Sequence, residues 1–333
     1  MGTLHAWRRW FVLASCAAMM SPIAGQAQQP AKLPKVAFLT PGVRFPDVSP
    51  PPWSVRHYLS DLGYVDGSNI AYEQRAAEGQ PERLPALAEE LVRLKADVII
   101  AWTNEAAFAA KRATSSIPIV VWAAHGAVET GLIDSLAKPG GNLTGVERLA
   151  PELDAKRLEI LKEITPGLAR IGVLYNSQDQ GSPVHLRSVQ AASSVLHLGV
   201  VPLAVRRVED LDLLLSTPPG RSFDALVTLT DARLTGPYGK RLADFAIAHR
   251  IPTACEFRFF AQQGCLIAYG PTLEEFSQRV ARQIDRILKG ALPRNIPFEQ
   301  VTRFELTVNL RTARAIGITV PSSVLLRADE VIE

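Results

Sequence analysis

The chain has 333 residues, of which 47% are hydrophobic and 21% charged, and a formal net charge of +3. This is the composition of a folded globular protein, not of a disordered or fibrous one. The small charge comes with no basic block and no interleaving of basic and aromatic residues, which speaks against nucleic acid as a partner.

The first 27 residues read as an export signal, not as fold. Arg8 and Arg9 form a positive segment, Trp10 to Met20 is an uncharged apolar run, and Gly25-Gln26-Ala27 offers small residues at a cleavage site. The apolar run is too short for a permanent span, which needs about 20 residues. Arg8-Arg9-Trp10-Phe11-Val12 also resembles a twin-arginine signal. Leu13-Ala14-Ser15-Cys16 resembles a lipid-attachment box, but the apolar run before Cys16 is very short and continues past it. Removing the signal leaves about 300 residues, which suits two domains better than a single core.

From residue 36 the chain alternates short apolar runs with longer amphipathic ones. Val36 to Thr40 predicts a strand, Val55 to Leu62 a helix and Asn69 to Arg75 a strand. Glu82 to Leu94 is helical, with Leu84, Leu87, Ala88 and Leu91 at helical spacing. Asp97 to Trp102 predicts a strand, Glu105 to Ala113 a helix, Ile117 to Ala123 a strand and Thr130 to Ala137 a short helix. Gly140-Gly141-Asn142-Leu143-Thr144-Gly145 reads as a glycine-rich seam, placed as a hinge between lobes would be.

The pattern then restarts. Helices are expected over Pro151 to Ile164, Pro183 to Leu198, Glu209 to Leu215, Pro237 to His249 and Leu273 to Lys289. The strands between them are Ala169 to Tyr175, Gly199 to Val205, Asp224 to Leu229, Pro252 to Ala254 and Cys265 to Tyr269. Repeated strand–helix order with unbroken apolar strands means parallel sheets covered by helices on both faces. Two such runs, each too short for a barrel, predict an α/β protein of two doubly wound lobes.

No dinucleotide fingerprint, phosphate-binding loop, nucleophile elbow or zinc-protease motif is present in the sequence. The six histidines are never at ligand spacing, and a metal site is not expected. Cys255 and Cys265 are the two cysteines beyond the signal. Export permits a disulfide between them, but they read more simply as two small buried residues, one in each of two strand-like segments.

The informative residues are those at predicted strand ends: Thr40, Thr103, Asn104, His125, Tyr175, Asn176, Asp231, Glu256 and Tyr269. In doubly wound sheets these carboxyl ends line one crevice. If two lobes face each other, the residues converge on a cleft. Tyrosine there can stack on an apolar or cyclic group, while Asn, Thr and Asp can bind an ammonium or a carboxylate. The alternative for each is local: a helix cap for Asn, Asp and Thr, core filling for Tyr, an exposed loop position for His125.

Several segments together resemble one known family. They are Leu62-Gly-Tyr-Val-Asp-Gly-Ser-Asn-Ile70, Ala109-Ala-Lys-Arg-Ala-Thr114, Gly131-Leu-Ile-Asp-Ser-Leu-Ala-Lys-Pro-Gly-Gly-Asn-Leu-Thr-Gly145 and Lys156-Arg-Leu-Glu-Ile-Leu-Lys-Glu163. Further on come Ala268-Tyr-Gly-Pro271, Asp285-Arg-Ile-Leu-Lys-Gly290, Phe304-Glu-Leu-Thr-Val-Asn-Leu310 and Arg327-Ala-Asp-Glu-Val-Ile332. With these the chain resembles the ABC transporter substrate-binding proteins of the tryptophan/aromatic-amino-acid type, a type I periplasmic binding protein family.

The resemblance implies two Rossmann-like lobes joined by three crossovers: residues 31–147 plus 270–298 in one, 148–269 plus 299–333 in the other. It implies a monomer without cofactor or catalysis that binds a small organic ligand, such as an aromatic or branched apolar amino acid, between the lobes. The partner implied is an ABC permease in the cytoplasmic membrane. Trp53, Trp102, Trp122, Tyr175 and Tyr269 are candidates for an aromatic wall, with Trp102 and Trp122 equally suited to the core. Two departures fall at the expected cleft. Gly126-Ala127 stands where the family often has Asp-Pro, and Asn176-Ser177 where it often has Asn-Pro. A sensor domain feeding a receptor, or a hydrolase on the same scaffold, are the rival functions.

Overall fold

A computed structural model describes residues 33–44, 54–148, 150–217, 220, 222–231 and 238–333. The export signal expected over residues 1–27, Trp53, and the start of a helix at Pro237 lie outside the described residues.

The first series runs β1 (Lys35–Thr40), α1 (Val55–Asp61), β2 (Ala71–Ala76), α2 (Leu84–Arg93), β3 (Val98–Ala101), α3 (Asn104–Ala113), β4 (Ile119–Ala124) and β5 (Leu143–Glu147). The second runs α4 (Ala150–Ile164), β6 (Arg170–Asn176), α5 (Ser182–Val195), β7 (Gly199–Val205), α6 (Val208–Ser216), β8 (Ala225–Thr228), α7 (Gly239–Ala248), β9 (Thr253–Cys255), α8 (Arg258–Gln262) and β10 (Ile267–Pro271). The chain closes with α9 (Leu273–Leu288), β11 (Glu299–Gln300), β12 (Phe304–Asn309), α10 (Leu310–Ile316), α11 (Ser322–Leu325) and β13 (Glu330–Ile332).

Among the described residues the strands form two sheets. One has six strands in the order β11-β5-β4-β3-β1-β2, the other seven in the order β13-β12-β10-β9-β8-β6-β7. Pairings are parallel throughout except between β10 and β12. The central strands β3, β4, β5 and β8 are buried along their whole length, as continuous apolar runs in a doubly covered sheet must be. In each sheet the second strand of the series lies outside the first and the later ones continue on its other side. The order therefore reverses between β1 and β3 in one sheet and between β6 and β8 in the other. These are the two topological switch points, where such sheets bind ligands.

The chain passes between the sheets three times. Arg148 follows β5 of the first sheet and leads into α4. Thr272 follows β10 of the second sheet and caps α9, accepting from the Glu275 N–H at 3.4 Å. Helix α9 then lays Phe276, Val280, Ile284 and Ile287 into the same apolar cluster as Trp122 and Val146 of β4 and β5. Residues 301–303 carry the chain from β11 back to β12. Glu275 ties the second passage to the third, accepting from the backbone N–H groups of Thr302 at 3.0 Å and Arg303 at 2.7 Å.

Three expectations need correction. The glycine-rich seam is not the crossover: Leu143–Glu147 is a buried strand of the first sheet. Gly145 serves close packing, since a Cβ there would lie 2.5 Å from the Val121 carbonyl oxygen. The passage begins at Arg148. The short helix expected over Thr130 to Ala137 does not form. Gly131 sits at φ +72°, and the Lys111 ammonium takes the Leu132 carbonyl at 2.8 Å, so the segment is a series of turns. Cys255 and Cys265 are joined in a disulfide instead of lying as separate core residues. At the lobe edges, Gly270 and Pro271 pair within the second sheet, and Glu299 and Gln300 within the first.

Candidate functional site

The expected strand-end residues divide by switch point. At the first, the Thr40 hydroxyl accepts from the Gly42 N–H at 3.1 Å, and Thr103 caps α3 by accepting from Ala106 at 3.4 Å. Asn104 is buried and clamps the loop after β4. Its amide donates to the His125 carbonyl at 2.8 Å, and its carbonyl accepts the His125 N–H at 3.0 Å. At the second switch point, the Asn176 amide donates to Asp231 at 2.8 Å, joining the ends of β6 and β8. Among the described residues the hydroxyls of Ser177 and Thr230, beside them, are buried without a hydrogen-bond partner. Tyr175 and Tyr269 are half-buried against the second lobe's core.

The two lobes meet where α5 approaches the loop after β4. Gly181 makes this possible, since a Cβ there would fall 2.7 Å from the His125 Cβ. The His125 and His185 rings lie 4.9 Å apart. His125 is therefore buried, not an exposed loop residue. Burial, with Arg148 and His185 beside it, holds its imidazole well below the usual range, so it is neutral at pH 7. Farther out, the ends of β1 and β2 and of β6 and β7 border an open cleft of about 900 Å³, lined by Gly42, Gln80, Gln178, Arg206 and Tyr238 among others.

Sequence reasoning missed the charged floor of this junction. The Arg148 guanidinium reaches from the end of β5 to Glu256 after β9, at 2.8 and 3.1 Å, and lies over the Phe257 ring at 5.2 Å. This ion pair bridges the two sheets and is almost wholly buried, with side-chain exposures of 7% and 2%. Behind it, Asp154 of α4 accepts from Arg157 at 2.8 Å, from Ser188 at 2.8 Å, and faces His185 at 2.9 Å. Burial raises the Asp154 carboxyl, but His185 and Arg157 outweigh it and hold it below its ordinary range. Arg157 also donates to the Tyr269 carbonyl at 3.2 Å. Glu256 was expected from its strand-end position, but its partner lies 108 residues away in the chain.

Trp122 is packed into the core. It stacks on half-buried Trp102 at 4.0 Å, touches Phe276 at 4.9 Å, and donates its indole N–H to Ser277 at 3.0 Å.

Glu147, next to Arg148, explains the Gly126-Ala127 departure in part. Its carboxylate accepts the N–H groups of both residues, at 2.8 and 3.0 Å, a role for which proline at 127 would have no donor. Burial pushes this carboxyl from 4.5 up to about 7, against the pull of those two hydrogen bonds. The folded protein thus holds the proton more tightly than the unfolded chain. The stability this contributes is full below about 4.5 and lost as pH rises through about 7. Urea melts of wild type and Glu147→Gln at pH 4.5 and pH 8 are expected to differ in their pH response by roughly 3 kcal/mol, with wild type losing the more at high pH. Equal responses would place the Glu147 proton elsewhere.

Two doubly wound lobes, three crossovers and a cleft at the strand ends define the type I periplasmic binding protein fold. Residues 54–332 match the family model for ABC transporter substrate binding proteins, and the chain belongs to that family. A tyrosine-binding protein of Clostridioides difficile (strain R20291) is 28% identical over 262 residues, covering 78% of this chain and 74% of the relative. Among solved structures, an ABC domain from Streptococcus pneumonia in complex with L-Trp matches with a TM-score of 0.80 at 23% identity, over 90% of this chain and 100% of the other. A conserved domain protein from Vibrio cholerae gives a TM-score of 0.82 at 24% identity with the same coverage. Among the described residues no helix is long and apolar enough to cross a membrane.

Proposed function

We propose that this protein is exported and acts as a monomer outside the cytoplasmic membrane. It captures a small organic ligand with an aromatic body between its lobes and releases it unchanged to an ABC permease. The observation that carries this reading is the open cleft bordered by the ends of β1, β2, β6 and β7, with the hydroxyls of Ser177 and Thr230, beside Asn176 and Asp231, buried without a partner among the described residues. Thr40, Thr103, Asn104, His125, Gly126, Tyr175, Asn176, Asp231, Glu256 and Tyr269 then surround the ligand or position the groups that do. The tyrosine- and L-Trp-binding relatives support an aromatic ligand.

Ligand contacts made with both lobes at once supply the free energy that favours the closed arrangement. Energy for transport comes from a separate ATPase, since the sequence carries no phosphate-binding loop. A melting screen against L-tryptophan, L-tyrosine, benzoate and nucleosides tests the ligand class. A ligand at 100 times its Kd stabilises by about 2.7 kcal/mol. An aromatic amino acid or acid is expected to raise the melting temperature and to be recovered chemically unchanged. Stabilisation by nucleosides alone, or turnover of the ligand, would overturn the reading.

A further inference from the structure

The floor of the junction holds two buried polar atoms that find no hydrogen-bond partner among the described residues: Nε2 of His125 and Nε of Arg148. Buried polar groups are normally paired, because an unpaired one has given up its water without replacement, so each calls for a partner. Both residues are more than nine-tenths buried. They sit at the ends of the adjacent strands β4 and β5, on the edge of the first sheet that meets the second lobe. They are near enough for Arg148 to be the leading charge acting on the His125 ring.

Both are also held in place before any ligand arrives. Asn104 fixes the backbone of His125 from two sides. Glu256 engages Arg148 through a single terminal nitrogen, at both carboxylate oxygens, and the Phe257 ring lies under the guanidinium. That grip leaves the Nε–H of Arg148 as a donor without an acceptor among the described residues. His125, being neutral, offers one more N–H or one acceptor depending on its tautomer. A cationic N–H donor beside a neutral imidazole, closed off from water, is a seat for an oxyanion, and a planar carboxylate suits the edge of a guanidinium best.

From this geometry we infer that Arg148 and His125 form the carboxylate seat of the cleft, so that the ligand is an aromatic carboxylate bound by its acid group at the lobe junction. The inference rests on the proposed capture of an aromatic ligand. It adds which end of that ligand the protein grips, and with which atoms. Since Arg148 also spans the lobes through Glu256, a ligand held there touches the element that joins them.

The test is calorimetric titration of L-tryptophan, L-tyrosine and benzoate, each against its carboxamide, with the full mature chain. At least one acid is expected to bind, and its carboxamide to bind at least about tenfold more weakly. Arg148→Lys keeps a cation facing Glu256 but has no Nε–H. It is expected to keep a cooperative melting transition, showing that it is folded, and to lose about tenfold in affinity for the acid. His125→Phe keeps a flat ring against His185 and is expected to weaken the acid in the same direction. Acid and amide binding equally well, or wild-type acid affinity in a folded Arg148→Lys variant, would overturn the carboxylate seat while leaving capture in the cleft intact. Failure of every acid and amide to bind would overturn the aromatic ligand class and the seat together.

Discussion

Replacing Asp154 by Asn is expected to lower the unfolding free energy by about 3–5 kcal/mol, the largest effect of any single change considered for this protein. Asp154 is fully enclosed between α4 and α5 and accepts from Arg157 and Ser188 while facing His185. Arg157 is itself among the largest side chains fully removed from solvent. Asparagine preserves the shape and one acceptor oxygen, but it leaves the guanidinium as a buried charge without a counter-ion. An intact buried ion pair adds little over an apolar pair, because desolvation offsets the attraction. Removing one member is different, since the other has already lost its water. With domain stabilities of about 5–15 kcal/mol, such a loss is readily seen in a urea melt. A loss below about 1 kcal/mol would mean that the Arg157 charge is satisfied without Asp154.

The second large effect is expected at the disulfide. The bond between Cys255 and Cys265 closes a loop across ten positions of sequence. Restricting the unfolded chain over a loop of that size is worth about 3 kcal/mol. The loop also does local work in the fold. It carries Glu256, which holds Arg148, and Phe257 and Phe260, which join Trp122, Phe276 and Val280 in one apolar cluster. The second lobe therefore grips the first lobe's core through a covalently closed loop. Changing both cysteines to serine, or reducing the folded protein with dithiothreitol, is expected to lower stability by roughly 3 kcal/mol. An unchanged melting curve after confirmed reduction would contradict this.

The layout of both sheets was legible because doubly covered parallel strands must be apolar throughout. Runs such as Asp97 to Trp102 and Asp224 to Leu229 have few other readings. Glycine misled at two places for opposite reasons. Gly145 lies inside a strand because β4 approaches too closely for a side chain, and Gly131 takes a backbone conformation that stops the expected helix. The strand-end rule singled out Asn104, His125, Asn176 and Asp231, which lie at or just after strand ends and are hydrogen-bonded in two pairs. It did not find Glu147, Arg148, Asp154, Arg157 or His185. Charged residues on a helix such as α4 ordinarily face solvent, and nothing local shows that two of them turn inward. The pairing of Arg148 with Glu256 depends on two sheets coming together, which no sequence window contains. The cysteines likewise read as core because only the meeting of β9 and the start of β10 brings their sulfurs into bonding range.

Under the proposed function, ligand is taken up between two lobes that close on it through the three crossovers. Small-angle X-ray scattering of the mature protein, with and without a saturating ligand identified by the melting screen, tests this most directly. A smaller radius of gyration is expected in the ligand-bound protein, with a return to the free value when the ligand is dialysed away. Superimposable scattering curves in the presence of a ligand shown to saturate the protein would contradict it.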